Sequence, residues 1–328
     1  MGAAAGQAPG SRSRRRGGVE SASTRSVGAL TRCPACATSM PAKMVDDHLG
    51  SQVCESQRKW RAQQHSRTQA AAWTALCVDN GRTLHLNASI ADQQDEQARA
   101  DAAARIAMGA ALGVSVVDEF VTEHEEATIL EYVRSSDLRE SSFNGRHMGC
   151  KWGVDCDLYT RKTYEATREL PEVLQNIMAR FKSVAALATP ARTDWTPNEA
   201  NAIWYDARHG GHFLGAHVDD RFMSKGPIVN LSLGGDCVMT YEREREQDAT
   251  TGRLQLKSIP PELPAALQTV RVHLRRRSLQ VMDKVVRYRF THEIRAEDFL
   301  SDARCSITFR HSPVTEHGEM RPRGPTLY

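Results

Sequence analysis

His217-Val218-Asp219 is the only H-x-D triplet in the chain. On an extended segment, residues two apart point to the same side. The pair therefore offers an imidazole nitrogen and a carboxylate oxygen to one metal ion. A third ligand has to come from elsewhere, and His292, just past a stretch read as the strand 285–290, is the best placed. Two histidines and one carboxylate on one face form the facial triad that suits non-haem iron(II) and leaves positions open for a co-substrate and oxygen. Downstream lies Arg304-Cys305-Ser306-Ile307-Thr308-Phe309-Arg310. Alternation puts Arg304, Ser306, Thr308 and Arg310 on one side and Cys305, Ile307 and Phe309 on the other. A guanidinium taken out of water suits a dicarboxylate, which it grips with paired hydrogen bonds. His212 precedes the pair but has no acid two residues on, which makes it a weaker ligand candidate. Asp220 reads either as a neighbour of the metal or substrate or as an exposed loop acid.

A second cluster lies near the N-terminus. Cys33-Pro34-Ala35-Cys36 is followed by His48 and Cys54, a C-x2-C and an H-x5-C. Zinc takes four soft or borderline ligands in a tetrahedron, and a C-x2-C turn supplies two of them. A segment of this size cannot fold on apolar burial alone, and a metal supplies the missing stability. The stretch resembles small C2HC fingers, including the ubiquitin-binding kind, which implies ubiquitin or nucleic acid as partners of the finger. The chain holds eight cysteines. No secretory h-region precedes them, so metal binding or burial is expected in place of disulfides. Cys237 and Cys305 read as buried thiols on strands, and Cys150 and Cys156 flank Trp152 in an expected loop.

The elements that must position these residues are legible in part. Residues 1–30 are rich in Gly, Ala, Ser and Arg and read as a disordered basic tail. The run Arg12-Ser13-Arg14-Arg15-Arg16 within it fits a nuclear-import or nucleic-acid patch, or else a solvated tail without a role. Residues 31–60 form the finger. Residues 61–112 read as a linker with an Ala-rich, solvated helix. Residues 113–315 form the main domain, and 316–328 a tail. Val114 to Val117 reads as a strand, and Thr122 with Glu125 as a capping box opening a helix through Ser136. A second helix is expected over 170–187, opened by Pro171. Seven short strands follow: 200–206, 227–233, 237–241, 269–274, 278–282, 285–290 and 304–309. Glu242–Pro264 reads as an inserted loop whose charge run, 242–246, is a solvated hairpin end. Arg275-Arg276-Arg277 reads as a basic turn, with phosphate contact as the alternative. A net charge of +3 is too small and too diffuse for a chain devoted to phosphate backbones. No run of apolar residues is long enough to cross a membrane, so no membrane partner is expected. An intracellular chain, nuclear or cytoplasmic, is expected.

The stretch from about Gly113 to Pro313 resembles the AlkB family of iron(II)- and 2-oxoglutarate-dependent dioxygenases. The resemblance rests on His217-x-Asp219, His292, Arg304-x5-Arg310 and the upstream Asn201-Ala202-Ile203-Trp204-Tyr205. The segment from Arg146 to Leu158 is most similar to the branch containing the fourth animal AlkB homologue, which often carries an N-terminal cysteine-rich stretch. The resemblance implies an α+β, mainly β chain: a double-stranded β-helix, or jelly roll, with flanking helices. It implies Fe(II) on His217, Asp219 and His292, and 2-oxoglutarate held by Arg304, with Arg310, Asn201 and Tyr205 nearby. It also implies oxidative N-demethylation of methylated protein lysine or methylated DNA adenine, releasing succinate, CO2 and formaldehyde. Two other readings stay open: an idle barrel serving as a binding module with its finger, and repair of alkylated nucleic-acid bases. Substrate choice is expected from loops over 140–168.

Overall fold

The computed structural model describes residues 30–32, 39–41, 82–86, 95–188, 195–206, 211–224 and 226–318. The first two strands, β1 (Leu30–Arg32) and β2 (Ser39–Pro41), pair antiparallel. The expected zinc ligands Cys33, Cys36, His48 and Cys54 lie outside the described residues.

The rest is mainly β. In chain order come β3 (Thr83–Leu86), helix α1 (Glu96–Leu112), β4 (Val114–Val117), helix α2 (Glu123–Ser135), β5 (Arg139–Ser141), β6 (Gly145–Asp157), β7 (Lys162–Arg168) and helix α3 (Glu172–Met178). Then follow β8 (Glu199–Asp206), β9 (Phe213–His217), β10 (Ile228–Leu233), β11 (Cys237–Arg243), β12 (Arg245–Gln247), β13 (Leu254–Leu256), β14 (Thr269–Leu274) and β15 (Leu279–Met282). Helix α4 (Lys284–Arg289), β16 (Phe290–Ile294) and β17 (Ala303–Arg310) complete the domain. Apart from the separate antiparallel pair β12–β13, these strands follow one hydrogen-bonded path, β3-β14-β11-β16-β9-β6-β8-β17-β10-β15-β4, with β5 and β7 attached to β6. The β3–β14 pair is parallel and the other pairs are antiparallel. Strand β6 joins the two halves. It bonds to β9 through Gly145 and Arg146 and to β8 from Met148 to Gly153. The result is a curled sheet consistent with the expected jelly roll.

Period-2 alternation sorts the residues of each central strand. On β8, β10 and β17 one face carries Ala200, Ala202, Val229, Leu231, Leu233, Cys305, Ile307 and Phe309. These are packed with Ile129 and Val133 of α2 and Leu174 and Ile177 of α3. The opposite face carries Tyr205, Asn230, Ser306, Thr308 and Arg310, which line an interior cavity. Helices thus cover the outer face, and the polar groups are turned inward. Cys237 and Cys305 are buried thiols, as expected.

The capping box forms as read: Glu125 N donates to Thr122 Oγ1 at 3.1 Å, and Thr122 N donates to the Glu125 carboxylate at 2.8 Å. The basic turn is also as read. Arg277 pairs with Glu119 at 2.6 Å and Arg276 with Glu126 at 2.6 Å, so acids at the start of α2 neutralise it.

Several elements differ from the sequence reading. The Ala-rich helix α1 is a core element, burying Met108 and Leu112 against the strands. Its stripe is built from Ala102, Ala103 and Ala107, small groups that bring the backbone close while adding little to an apolar pattern. It ends on Gly113 at φ 101°, where a Cβ would sit 1.9 Å from Asp283 O, so only glycine fits. The stretch expected as a strand over 285–290 is α4 up to Arg289, and the strand, β16, begins only at Phe290. The paired valines of α4 suggest β structure locally, but tertiary contacts turn the chain there. The expected helix over 170–187 is shorter: α3, followed by a 3-10 turn at Phe181–Ser183. The loop expected over 140–168 is largely β5, β6 and β7, with Trp152 buried between Cys150 and Cys156. The charge run is not simply solvated, because Glu244 pairs with Arg221 and, at 2.9 Å, with Lys257. No helix among the described residues is long and apolar enough to cross a membrane.

Glu126 fastens α2 to the sheet. It is buried, and it accepts from Gly234 N at 2.8 Å as well as from Arg276. Replacing it by alanine leaves the Gly234 N–H without its acceptor. We expect Glu126→Ala to cost about 2 kcal/mol in urea unfolding. An unchanged midpoint would show that this clamp adds nothing to stability.

Candidate metal centre

His217 closes β9, and His292 lies on the neighbouring strand β16, directly opposite it in register. Asp219 follows just beyond β9, so the H-x-D pair spans a strand end instead of lying within one strand. The three side chains nevertheless converge. Their ligand atoms all lie within 4.8 Å of one another. Asp219 Oδ2 is 3.8 Å from His292 Nε2, and Asp219 Oδ1 is 4.0 Å from His217 Nε2. The imidazole rings are 4.2 Å apart. His217 Nδ1 sits 2.7 Å from Gly215 O, so it carries the proton and donates, which leaves Nε2 free as a ligand.

The segment carrying Asp219 is held from several sides. Asp220 accepts from Phe222 N and Met223 N at 2.7 and 2.6 Å, which makes it the cap of a turn. Arg287 of α4, fully buried, donates to Asp220 O and Ser224 O at 3.1 and 2.6 Å. Arg221 reaches Glu244. His212 does not join the cluster; its Nδ1 accepts from Asp206 N at 2.8 Å.

The electrostatics keep the donor atoms available. Burial alone would raise the Asp219 carboxyl. The positive charges beside it, Arg310 foremost and Arg287 with it, outweigh that and hold the group well below the usual carboxylate range. Burial pushes the His292 imidazole down to about 4, against the pull of Asp219, so it is neutral at pH 7. A neutral imidazole and an ionised carboxylate are the forms a metal needs.

Arg310 donates through Nη2 to Asp219 Oδ1 at 2.8 Å. The second arginine of the pair behaves differently. Arg304 is fully buried; its Nε donates to Ser232 Oγ at 3.0 Å and one Nη to Asn230 Oδ1 at 3.4 Å. Its Nη1 has no partner, and among the described residues no carboxylate pairs with it. A buried guanidinium without a counter-charge is costly, and a carboxylate ligand would satisfy both the charge and the open N–H. Arg304 lies behind Asn230, which lines the cavity together with Tyr241 and Gln280. The residues present therefore fit both a divalent metal and an anionic co-substrate.

Tyr205 lines the metal cavity with its ring 5.7 Å from the Arg304 guanidinium. Asn201 shares its strand face but opens into an adjoining groove over β5–β7, where His147 is buried with Nδ1 unpartnered. Ile203 borders both spaces.

Asn230, Arg287 and Tyr241 were not singled out from the sequence. Asn230 donates to Ser306 Oγ and Thr308 Oγ1 at 2.6 and 2.9 Å while accepting from Arg304. Its signal was available as a polar residue in the otherwise apolar run Ile228-Val229-Asn230-Leu231. Arg287 carried no such signal, because its role depends on α4.

The model of the family described as 2OG-Fe(II) oxygenase superfamily matches residues 113–310. Among curated proteins, the chain is 27% identical over 191 residues to the tRNA (carboxymethyluridine(34)-5-O)-methyltransferase ALKBH8 of Macaca fascicularis, covering 57% of this chain and 25% of that protein. The Mus musculus protein of the same name is 25% identical over 211 residues, covering 62% of this chain and 27% of the relative. The chain thus spans about a quarter of the length of these relatives. Among solved structures, OsALKBH1 is similar at a TM-score of 0.41 and 16% identity, covering 61% of this chain and 96% of that one.

The state of His292 sets a pH dependence. Its folded value of about 4 lies below its ordinary 6.5, so the unfolded chain takes up this proton first. Stability is therefore lost as the pH falls from about 6.5 to about 4. Asp219, held low, adds a further loss below the ordinary carboxylate range. Thermal melts of the metal-free protein should fall across the upper window, and His292→Gln should flatten that fall. An equal slope in the variant would contradict the assignment.

Proposed function

The chain belongs to the 2OG-Fe(II) oxygenase superfamily, and from that premise we propose that it is an AlkB-type N-demethylase acting on methylated protein lysine or methylated DNA adenine. The observation that carries the oxygenase reading is the convergence of His217, Asp219 and His292 in a cavity whose polar wall includes Arg310. The ALKBH8 relatives support the AlkB type; the choice of substrates rests on the resemblance of Arg146 to Leu158 and of the N-terminal cysteine cluster to one AlkB branch.

In this reading His217, Asp219 and His292 hold Fe(II), and Arg304 holds the distal carboxylate of 2-oxoglutarate. The chemistry supplied by the two together is hydroxylation of a C–H bond by oxygen, with 2-oxoglutarate converted to succinate and CO2. On an N-methyl group the hydroxylated product breaks to formaldehyde and the free amine. The protein's own share is placement and charge. His217 presents Nε2 because Gly215 O fixes its other nitrogen. Arg310 orients Asp219, and Asn230 braces Arg304 against Ser306 and Thr308. Tyr205, Ile203 and Tyr241 line the cavity, and the groove beside it, bordered by Asn201 and His147, is the path for substrate.

The same proposal gives Cys33, Cys36, His48 and Cys54 a structural zinc, with ubiquitin or nucleic acid as partners of that finger, and gives the basic tail a role in nuclear import. The ALKBH8 relatives are named for a tRNA activity, so methylated RNA belongs among the substrates to be tried.

The test is a screen of methyl-lysine peptides and of N-methylated DNA and RNA oligonucleotides with iron-loaded protein and 2-oxoglutarate, read by formaldehyde and succinate release. Turnover of at least one substrate is expected. Asp219→Ala should lose bound iron and turnover together, by a factor of at least ~100. Bound iron without turnover on any methylated substrate, together with partner binding that survives His217→Ala, would favour the idle-barrel alternative.

A further inference from the structure

Glu199 is a buried carboxylate, 5% exposed, at the start of β8. The sheet register sets it directly opposite Arg310 on β17. Its two oxygens have separate surroundings. Oε2 accepts from the Ser312 hydroxyl at 3.0 Å and from the Cys156 thiol at 3.3 Å. Oε1 faces Arg310 Nη1 at 3.5 Å and Lys151 Nζ at 3.9 Å. Arg310 gives its other terminal nitrogen, Nη2, to Asp219 Oδ1 at 2.8 Å. Ser312 is itself fixed, since its backbone N donates to Asn198 Oδ1 and its carbonyl accepts from Asn198 Nδ2, both at 2.9 Å. A chain of contacts therefore runs from Ser312 and Cys156 through Glu199 and Arg310 to the carboxylate beside the two histidines.

Left to itself, a guanidinium prefers to engage both oxygens of a carboxylate in a parallel fork. At Asp219 that arrangement would cover Oδ2, the oxygen that faces His292 Nε2. It would also leave a full positive charge beside the place of a divalent cation. Glu199 opposes both effects. It faces Nη1 while Nη2 serves Asp219, so Arg310 reaches Asp219 through one nitrogen and one oxygen. Its charge also offsets that of Arg310. The two donors on Oε2 stop the Glu199 carboxylate from turning.

We infer that Glu199 is a positioning residue of the iron site, acting through Arg310 to restrain that guanidinium to Asp219 Oδ1 and so keep Oδ2 open to the metal. The inference rests on the reading of His217, Asp219 and His292 as iron ligands.

The experiment is an anaerobic Fe(II) titration of the full chain in the presence of 2-oxoglutarate, with no methylated substrate, read by the visible charge-transfer absorption of the loaded site. Wild type, Glu199→Gln, Arg310→Met and the double variant are compared, with melts of each metal-free protein. Glu199→Gln keeps the size of the side chain and removes its charge. It should weaken Fe(II) binding about tenfold, while adding no further weakening in the Arg310→Met background. Unchanged affinity in Glu199→Gln would overturn the role, and so would an equal loss in both backgrounds, which would place the effect in the fold and not in Arg310. If Glu199→Gln fails to fold, Glu199→Asp takes its place. Its carboxylate is withdrawn by one methylene, so weaker binding should again appear only where Arg310 is present, and its absence would overturn the inference. A wild-type protein that binds no Fe(II) would instead remove the iron reading beneath it.

Discussion

The Asp219 carboxylate is largely withdrawn from water, with its side chain 12% exposed, and the centre depends on what offsets the cost of that withdrawal. A lone buried carboxylate would take up a proton and lose its value as a ligand. Here the Arg310 guanidinium binds one of its oxygens, and Arg287 adds to the field that keeps it ionised. The same burial works the other way on His292, which is held neutral. One desolvated pocket thereby delivers an anion and a neutral imidazole side by side, both ready for a metal.

The fold supplies that pocket by simple means. Strands β8, β10 and β17 each send one apolar set outward against α2 and α3, while β10 and β17 turn Asn230, Ser306, Thr308 and Arg310 inward. A slip of one residue in any of them would exchange the two sets. The register is fixed by fully apolar outer faces, so the inner polar faces are fixed with it. Arg304 is then placed beside Asn230 and Ser232, and Arg310 beside Asp219 and Glu199.

Much of this was legible in the sequence, and the parts that were not have physical reasons. The alternation on β17 separated Arg304, Ser306, Thr308 and Arg310 from their apolar neighbours, and that division holds in the fold. The grouping of His217, Asp219 and His292, which the structure brings together, was readable from residue type and spacing. By contrast, α1 hides its core face in alanines, and α4 carries Val285 and Val286 just after its first residue, which favour strand locally. Arg287 could be assigned only once α4 was known to point it at the Asp220 and Ser224 carbonyls. Glu199 carries no signal in the sequence, because nothing local reveals that Arg310 lies opposite it.

The most direct test of the centre is anomalous diffraction from crystals of the full chain grown anaerobically with Mn(II) in place of iron and with 2-oxoglutarate. The account predicts a single strong metal peak bonded to His217 Nε2, Asp219 Oδ2 and His292 Nε2, with a carboxylate of 2-oxoglutarate on the Arg304 guanidinium and Asp219 Oδ1 still held by Arg310. A peak elsewhere, or a co-substrate bound away from Arg304 while its Nη1 stays unpartnered, would contradict it.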